Sequence, residues 1–210
     1  MILDSQSIMK DRTGRRATPD VDARIAGRVR ALRAELGLSL DALATKCGVS
    51  RSMLSLVERG ESSPTAVVLD RIATGLGVPL ASLFDDASAP PSPVARHADH
   101  TPWRDPESGY VRRNLSPAAY PSPIQLVEVV LPAGARVAYE TGAREPRVHQ
   151  QIWVLAGSLE VTVGDVAHRL AADDCLAMQL DAPITFRNRT RKPTRYLVAL
   201  ASERTWGGRR

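Results

Sequence analysis

The chain has 210 residues, 43% of them hydrophobic and 24% charged, with a formal net charge of +5. That composition excludes a disordered coil and a collagen-like or disulfide-stapled mini-protein, and the length suits one domain or two small ones. Aromatic residues make up only 4%, so the cores must rest on Leu, Val, Ile and Ala, and the modest basic excess favours a polyanionic partner without establishing one.

The two cysteines, Cys47 and Cys175, lie in no CxxC or Cys/His cluster. Neither a disulfide framework nor a structural zinc site is expected, and both thiols sit in apolar patterns that read as core. No apolar run reaches the ~18–20 residues of a membrane span. The first nineteen residues contain no apolar stretch of secretory type. A soluble, cytoplasmic protein without membrane contact is expected.

Residues 1–22 are polar, with Lys10, Arg12, Arg15 and Arg16 clustered, and read as a disordered basic arm. Residues 23–85 carry the spacing and punctuation of five short helices. Ile25, Val29, Leu32 and Leu36 form an apolar stripe that Gly37 ends. Ser39 caps a second helix holding Leu40, Leu43, Ala44 and Cys47, and Gly48 stops it. Ser50 caps a third helix that ends at Gly60. Ser63-Pro64 is expected to open a fourth helix with Val68, Ile72 and Leu76, ending at Gly77. Pro79 opens a fifth that ends near Phe84.

The third helix divides into two arcs. Met53, Leu54 and Val57 face a core, while Arg51, Ser52, Ser55, Leu56 and Arg59 face outward. The tight Gly48-Val49-Ser50 turn joins it to the second helix, as a helix-turn-helix requires. An outward Arg/Ser surface on a short helix suits the major groove, where it offers donors to base edges.

Residues Arg33, Glu35-Leu36-Gly37, Leu43-Ala44, Gly48-Val49-Ser50, Leu54, Glu58, Gly60, Pro64, Leu69, Ile72-Ala73 and Leu76 resemble the XRE-type, phage-repressor-like helix-turn-helix family. The resemblance implies a sequence-specific, DNA-binding transcriptional regulator. It implies base contacts by Arg51 and Ser52, with Ser55 and Leu56 one turn on. It implies phosphate contacts from Ser39, Lys46, Ser50 and Arg59, and a salt bridge between Arg33 and Glu58 that anchors the reading helix. Leu40 stands where relatives often carry a phosphate-binding Gln, which puts that one contact in doubt.

Residues 86–102 include Pro90, Pro91 and Pro93 and read as a flexible linker. From 103 to 204 the pattern is all β: Tyr110–Leu115, Ile124–Leu131, Ile152–Leu155, Leu159–Val163, Val166–Leu170, Leu176–Gln179, Ile184–Phe186 and Tyr196–Ala201, with a short tail at 205–210. The expected fold is therefore multidomain: an all-α helix-turn-helix bundle followed by a β-barrel. The order of strands and turns resembles a small cupin, and the whole chain resembles regulators that carry a cupin behind the DNA-binding head.

Metal-binding cupins use two His, a Glu and a third His. Aligned on Gly157, the Glu position is Gln150, and the paired His fall among Ala143, Arg144, Glu145 and Pro146. Aligned on Asn188, the last His position is Ile184. No metal, cofactor or catalytic group is expected. The barrel is expected to hold a small-molecule effector, with Arg113, His149, Gln151, Trp153 and Met178 as lining candidates, and to make a homodimer on DNA through the β-domain. Two other readings stay open: a cupin isomerase or dioxygenase with a regulatory head, and an effector-free repressor whose barrel only dimerises.

Overall fold

The computed structural model describes residues 21–84, 92–118, 120–140 and 147–203. The expected basic arm lies outside these residues except for Val21 and Asp22, which open the first helix. Residues 86–91 of the expected linker, 143–146 of the expected metal motif and the 205–210 tail also lie outside.

Four α-helices come first: α1 (Val21–Glu35), α2 (Leu40–Cys47), α3 (Arg51–Arg59) and α4 (Ala66–Leu76). Ser39 Oγ accepts the Ala42 amide at 3.1 Å and Ser50 Oγ accepts the Met53 amide at 3.2 Å, so both serines cap their helices. The expected fifth α-helix is instead a 3-10 helix, Leu80–Phe84. A segment this short between Pro79 and the acidic linker cannot build an α-helical ladder, and a tighter bond from Ser82 N–H to Pro79 O closes it. Ser63 does not cap α4 and Pro64 is not its first residue. Thr65 is still extended at ψ 163° and its hydroxyl accepts the Val68 amide, so the helix starts at Ala66.

The bundle core is Ile25, Val29, Leu43, Leu54, Val57, Leu69 and Ile72, each at most 1% exposed. α2 and α4 pack unusually closely at Gly75, where an added Cβ would lie 2.7 Å from that of Cys47. Burial pushes the Cys47 thiol's pKa up and keeps it protonated. Cys175, expected in a core, is exposed, because it lies on the solvent side of an edge strand.

The β-domain is two facing antiparallel sheets. The larger has the order β1 (Trp103–Arg104), β2 (Val111–Asn114), β3 (Ile124–Leu131), β10 (Thr194–Ser202), β5 (Val148–Ala156), β8 (Cys175–Gln179). The smaller has the order β4 (Arg136–Tyr139), β9 (Ile184–Arg187), β6 (Ser158–Val163), β7 (Val166–Ala171). Val127, Val129, Ile152 and Val154 from one sheet meet Leu159, Val161, Ile184 and Phe186 from the other to form the core. Asn188, buried at the end of β9, donates to the carbonyls of Leu131, Pro132 and Lys192 and ties loops of both sheets.

The linker suggests two independent bodies, but the helical domain is docked on the barrel. Asp105, just after β1 and 3% exposed, accepts the Ala66 amide at 2.8 Å, so a barrel carboxylate caps α4 alongside Thr65. Its other oxygen accepts the Ser108 amide at 2.8 Å. Asn114 donates to Ala81 O at 2.9 Å, Phe84 meets Trp103 edge-on at 5.5 Å, and Arg71 of α4 pairs with Glu140.

Asp105→Ala should cost about 1–2 kcal/mol and uncouple the domains. All three tryptophans (103, 153 and 206) lie outside the helical domain. Urea unfolding followed by tryptophan fluorescence and by helical circular dichroism should therefore coincide in the native protein. In the variant the helical signal should melt first; coincident, unshifted curves would refute the docking.

Candidate nucleic-acid interface

α3 buries Leu54, Val57 and Glu58 and leaves Arg51, Ser52 and Arg59 exposed, with Ser55 and Leu56 partly so. Ser39, Lys46 and Ser50 are exposed on the adjoining surface of α2 and the turn, which makes one continuous polar face. Gly48 holds the turn at φ +63°, a left-handed conformation that glycine adopts without strain. Leu40, at the doubtful phosphate position, is partly buried and packs on the core.

Arg33 on α1 donates from Nε to one Glu58 oxygen at 2.6 Å and from Nη2 to the other at 2.8 Å. Its third nitrogen donates to Leu38 O at 2.8 Å. The Glu58 carboxylate raises the Arg33 pKa further above its ordinary value. Arg30 also donates to the backbone carbonyl of Glu58. The last turn of α3 is thus fixed to α1 by charge-assisted bonds, whose loss on truncating one partner costs about 1.5–3 kcal/mol.

The structure adds two acidic partners that the sequence reading missed. Arg51 Nε lies 3.1 Å from Asp41 of α2, both side chains well exposed. Arg59 donates to both oxygens of Glu61, at 2.8 and 2.7 Å, and also to Ser55 Oγ. The exposed Arg51–Asp41 pair is worth little and yields readily to a base or phosphate. Arg59 is more firmly held and is a weaker candidate for a phosphate contact than its charge suggests. Glu61, two residues after Arg59, is a local signal for that partner, whereas Asp41 lies ten residues before Arg51 on the preceding helix and is brought near only by the turn between the helices.

The expected effector residues divide differently. Arg113, His149, Gln151 and Trp153 come together, but on the outer face of the larger sheet. His149 pairs with Glu203 at 2.7 Å, Arg113 donates to His97 Nε2 at 2.9 Å, and Trp153 is 46% exposed. Each is one residue out of phase with the interior, which in these strands is Arg112, Val148, Gln150 and Ile152. A shift of one residue in a strand moves a side chain to the opposite face. Met178 alone of the five turns inward, its sulfur 3.9 Å from Gln150 Nε2, and lies beside the cavity rather than on its wall.

The cavity holds about 60 Å³ and is closed by both domains: Asp70, Pro79, Leu80 and Ala81 from the helical part, Arg112, Gln150 and three tyrosines among the barrel residues. It does not fit a cupin metal. Gln150 offers a neutral amide where the Glu would stand and Ile184 offers nothing where a His would stand. Among the described residues no group of three or more His, Cys, Asp or Glu could hold a metal ion.

Comparison with known proteins agrees with this geometry. A family model described as helix-turn-helix (HTH_3) matches residues 29–83. The HTH-type transcriptional regulator SutR of Escherichia coli (strain K12) is 29% identical over 157 residues, 75% of this chain and 83% of SutR. The control protein C.MunI of Mycoplasma sp is 32% identical over 68 residues, 32% of this chain and 92% of that protein. The crystal structure of an HTH_3 family transcriptional regulator from Vibrio cholerae superposes with a TM-score of 0.69 at 26% identity, covering 86% of this chain and 96% of that one. The chain belongs to the HTH_3 (XRE) helix-turn-helix family of transcriptional regulators, with a β-domain of two facing sheets behind the DNA-binding head. Among the described residues no helix is long and apolar enough to cross a membrane.

Arg51→Ala should lose about 1–3 kcal/mol of specific binding and relax base preference at one position, whereas Lys46→Ala should weaken all sequences alike and flatten the salt slope by about one unit. Titrations of matched and scrambled duplexes at several salt concentrations separate the two. Unchanged binding in both variants would remove the assigned face.

Proposed function

We propose that the protein is a homodimeric transcriptional regulator that reads two operator half-sites with α3, and whose DNA affinity responds to a small effector in a metal-free barrel. The observation that carries the DNA reading is the α3 face itself. Arg51, Ser52 and Ser55 lie outward on a helix whose underside is core and whose end is clamped through Glu58. Ser39, Lys46 and Ser50 add backbone donors and charge beside it.

Dimerisation through the β-domain is supported by the outer face of the larger sheet. Ile124 and Leu126 on β3 are 52% and 39% exposed and pair with Ala201 and Ala199 of β10, while Trp153 on β5 pairs with Leu197. Large apolar side chains grouped on one sheet face favour a second copy over water. Four of the five residues first expected to line a pocket, all but Met178, thus belong to this face.

Effector control is supported by the shared cavity. Its wall includes residues of α4 and of the 3-10 helix, so a ligand inside touches the DNA-binding domain directly. α4 in turn packs on α2 at Gly75. A coupling of about 1–3 kcal/mol between effector and operator follows from typical linked sites. The cavity also favours this reading over a barrel that only dimerises, and the Gln150 and Ile184 positions favour it over a metal-dependent cupin enzyme.

Selection from randomised duplexes with the full-length protein tests the proposal. The expected product is an inverted repeat with half-sites centred about one helical turn, ~10–10.5 base pairs, apart. It should be bound by a species that sediments as a dimer. No enriched sequence, or one asymmetric site bound by a monomer, would contradict it.

A further inference from the structure

Arg112 of β2 is 7% exposed and lines the cavity between the barrel and the helical domain. A guanidinium does not lose its proton in a protein, so its charge must be met where it stands. One face is met by the Phe84 ring, 5.1 Å from the guanidinium carbon. Its Nε and Nη2 are buried with no hydrogen-bond partner. These are the same two nitrogens with which Arg33 grips both oxygens of Glu58 in this protein. Two donors of Arg112 are thus left unmet by the protein itself.

The surroundings suit the same group. Tyr110 and Tyr196 are buried in the cavity wall, and Tyr139 joins them through a 3.2 Å hydroxyl contact with Tyr110. Burial pushes the pKa of all three phenols up, so they stay protonated as hydrogen-bond donors, and the charge that acts on all three in the opposite direction is that of Arg112. The remaining wall is largely aliphatic, including Val129, Ile184 and Leu200. At ~10–15 Å³ per water centre, about 60 Å³ takes four to six water-sized groups. Asp70 of α4, 7% exposed, lines the same cavity.

We propose that Arg112 is the anchor of an effector site for a small monocarboxylate with a short aliphatic body, held between the β-domain and the α4–Phe84 segment of the helical domain. This rests on the effector reading above and adds the ligand's chemical class. The carboxylate pairs with the Arg112 guanidinium where it lines the cavity, tyrosine hydroxyls add donors, and the aliphatic body covers Leu80 and Ala81. The class includes plain short-chain acids and small apolar amino acids.

Isothermal titration of the full-length protein with pentanoate, with L-valine and with pentanamide tests the class. The amide keeps the shape of pentanoate and lacks the charge. At least one carboxylate should bind about tenfold or more tightly than the amide, a gap of ~1.4 kcal/mol. Binding of valine but not pentanoate, or the reverse, decides between amino acid and plain acid within the class. Arg112→Gln should lose the carboxylate preference while still unfolding cooperatively; if it does not fold, the comparison on the native protein decides alone. Equal binding of amide and acid, or no binding of either acid at ~10 mM, about 2.7 kcal/mol of affinity, overturns the carboxylate assignment. Repeating the titration with the selected duplex separates the two levels. A carboxylate that binds without changing DNA affinity upholds the site and overturns the effector reading. A neutral ligand that binds in the cavity and changes DNA affinity upholds the effector reading and overturns the class.

Discussion

A forked pair of hydrogen bonds between Arg33 and Glu58 governs how this protein presents its reading surface. α3 has nine residues, too few to persist as an isolated helix. Its start is held by the Ser50 cap and its underside by Leu54 and Val57, and its end is fixed to α1 by the Arg33 guanidinium. With three constraints spread along the helix, Arg51, Ser52 and Ser55 are left outward in a defined orientation. Base readout needs that rigidity, because hydrogen bonds to base edges tolerate little misplacement.

The helical domain is in turn bound to the barrel at both ends of α4. Asp105 accepts the amide that begins the helix, and the segment after it closes the barrel cavity with Leu80 and Ala81. Gly75 lets α4 approach α2, and the Gly48 turn carries α2 into α3. In the proposed regulation a change in the cavity would reach the reading helix through these packed elements. The sheet face opposite the cavity leaves Ile124, Leu126 and Trp153 exposed.

Much of the helical domain was legible because helix ends are encoded locally. Ser39 and Ser50 cap as their positions suggest, and Gly48, Gly60 and Gly77 take the left-handed stops. The Arg33 and Glu58 positions came from the family resemblance and meet in space. Cap placement failed at Ser63-Pro64, where Thr65 competes successfully one residue further on. The barrel was legible as a class but not in phase. On β5 the inward set holds Val148, Ile152 and Val154, but a large apolar residue, Trp153, faces out and a polar one, Gln150, faces in, and these two exceptions obscure the phase. Arg112 and Arg113 are adjacent and chemically identical, and only the fold decides which is buried. The cavity itself needs residues some 130 positions apart, Asp70 and Leu200 among them, and no local pattern encodes that meeting.

The most direct measurement is hydrogen–deuterium exchange of the full-length protein with and without its selected duplex. Amides from the Ser39 cap through α3 should gain protection with cognate DNA and much less with scrambled DNA, while the strands of the barrel core stay unchanged. Unaltered exchange across α3, with protection appearing on the β-domain instead, would contradict the account.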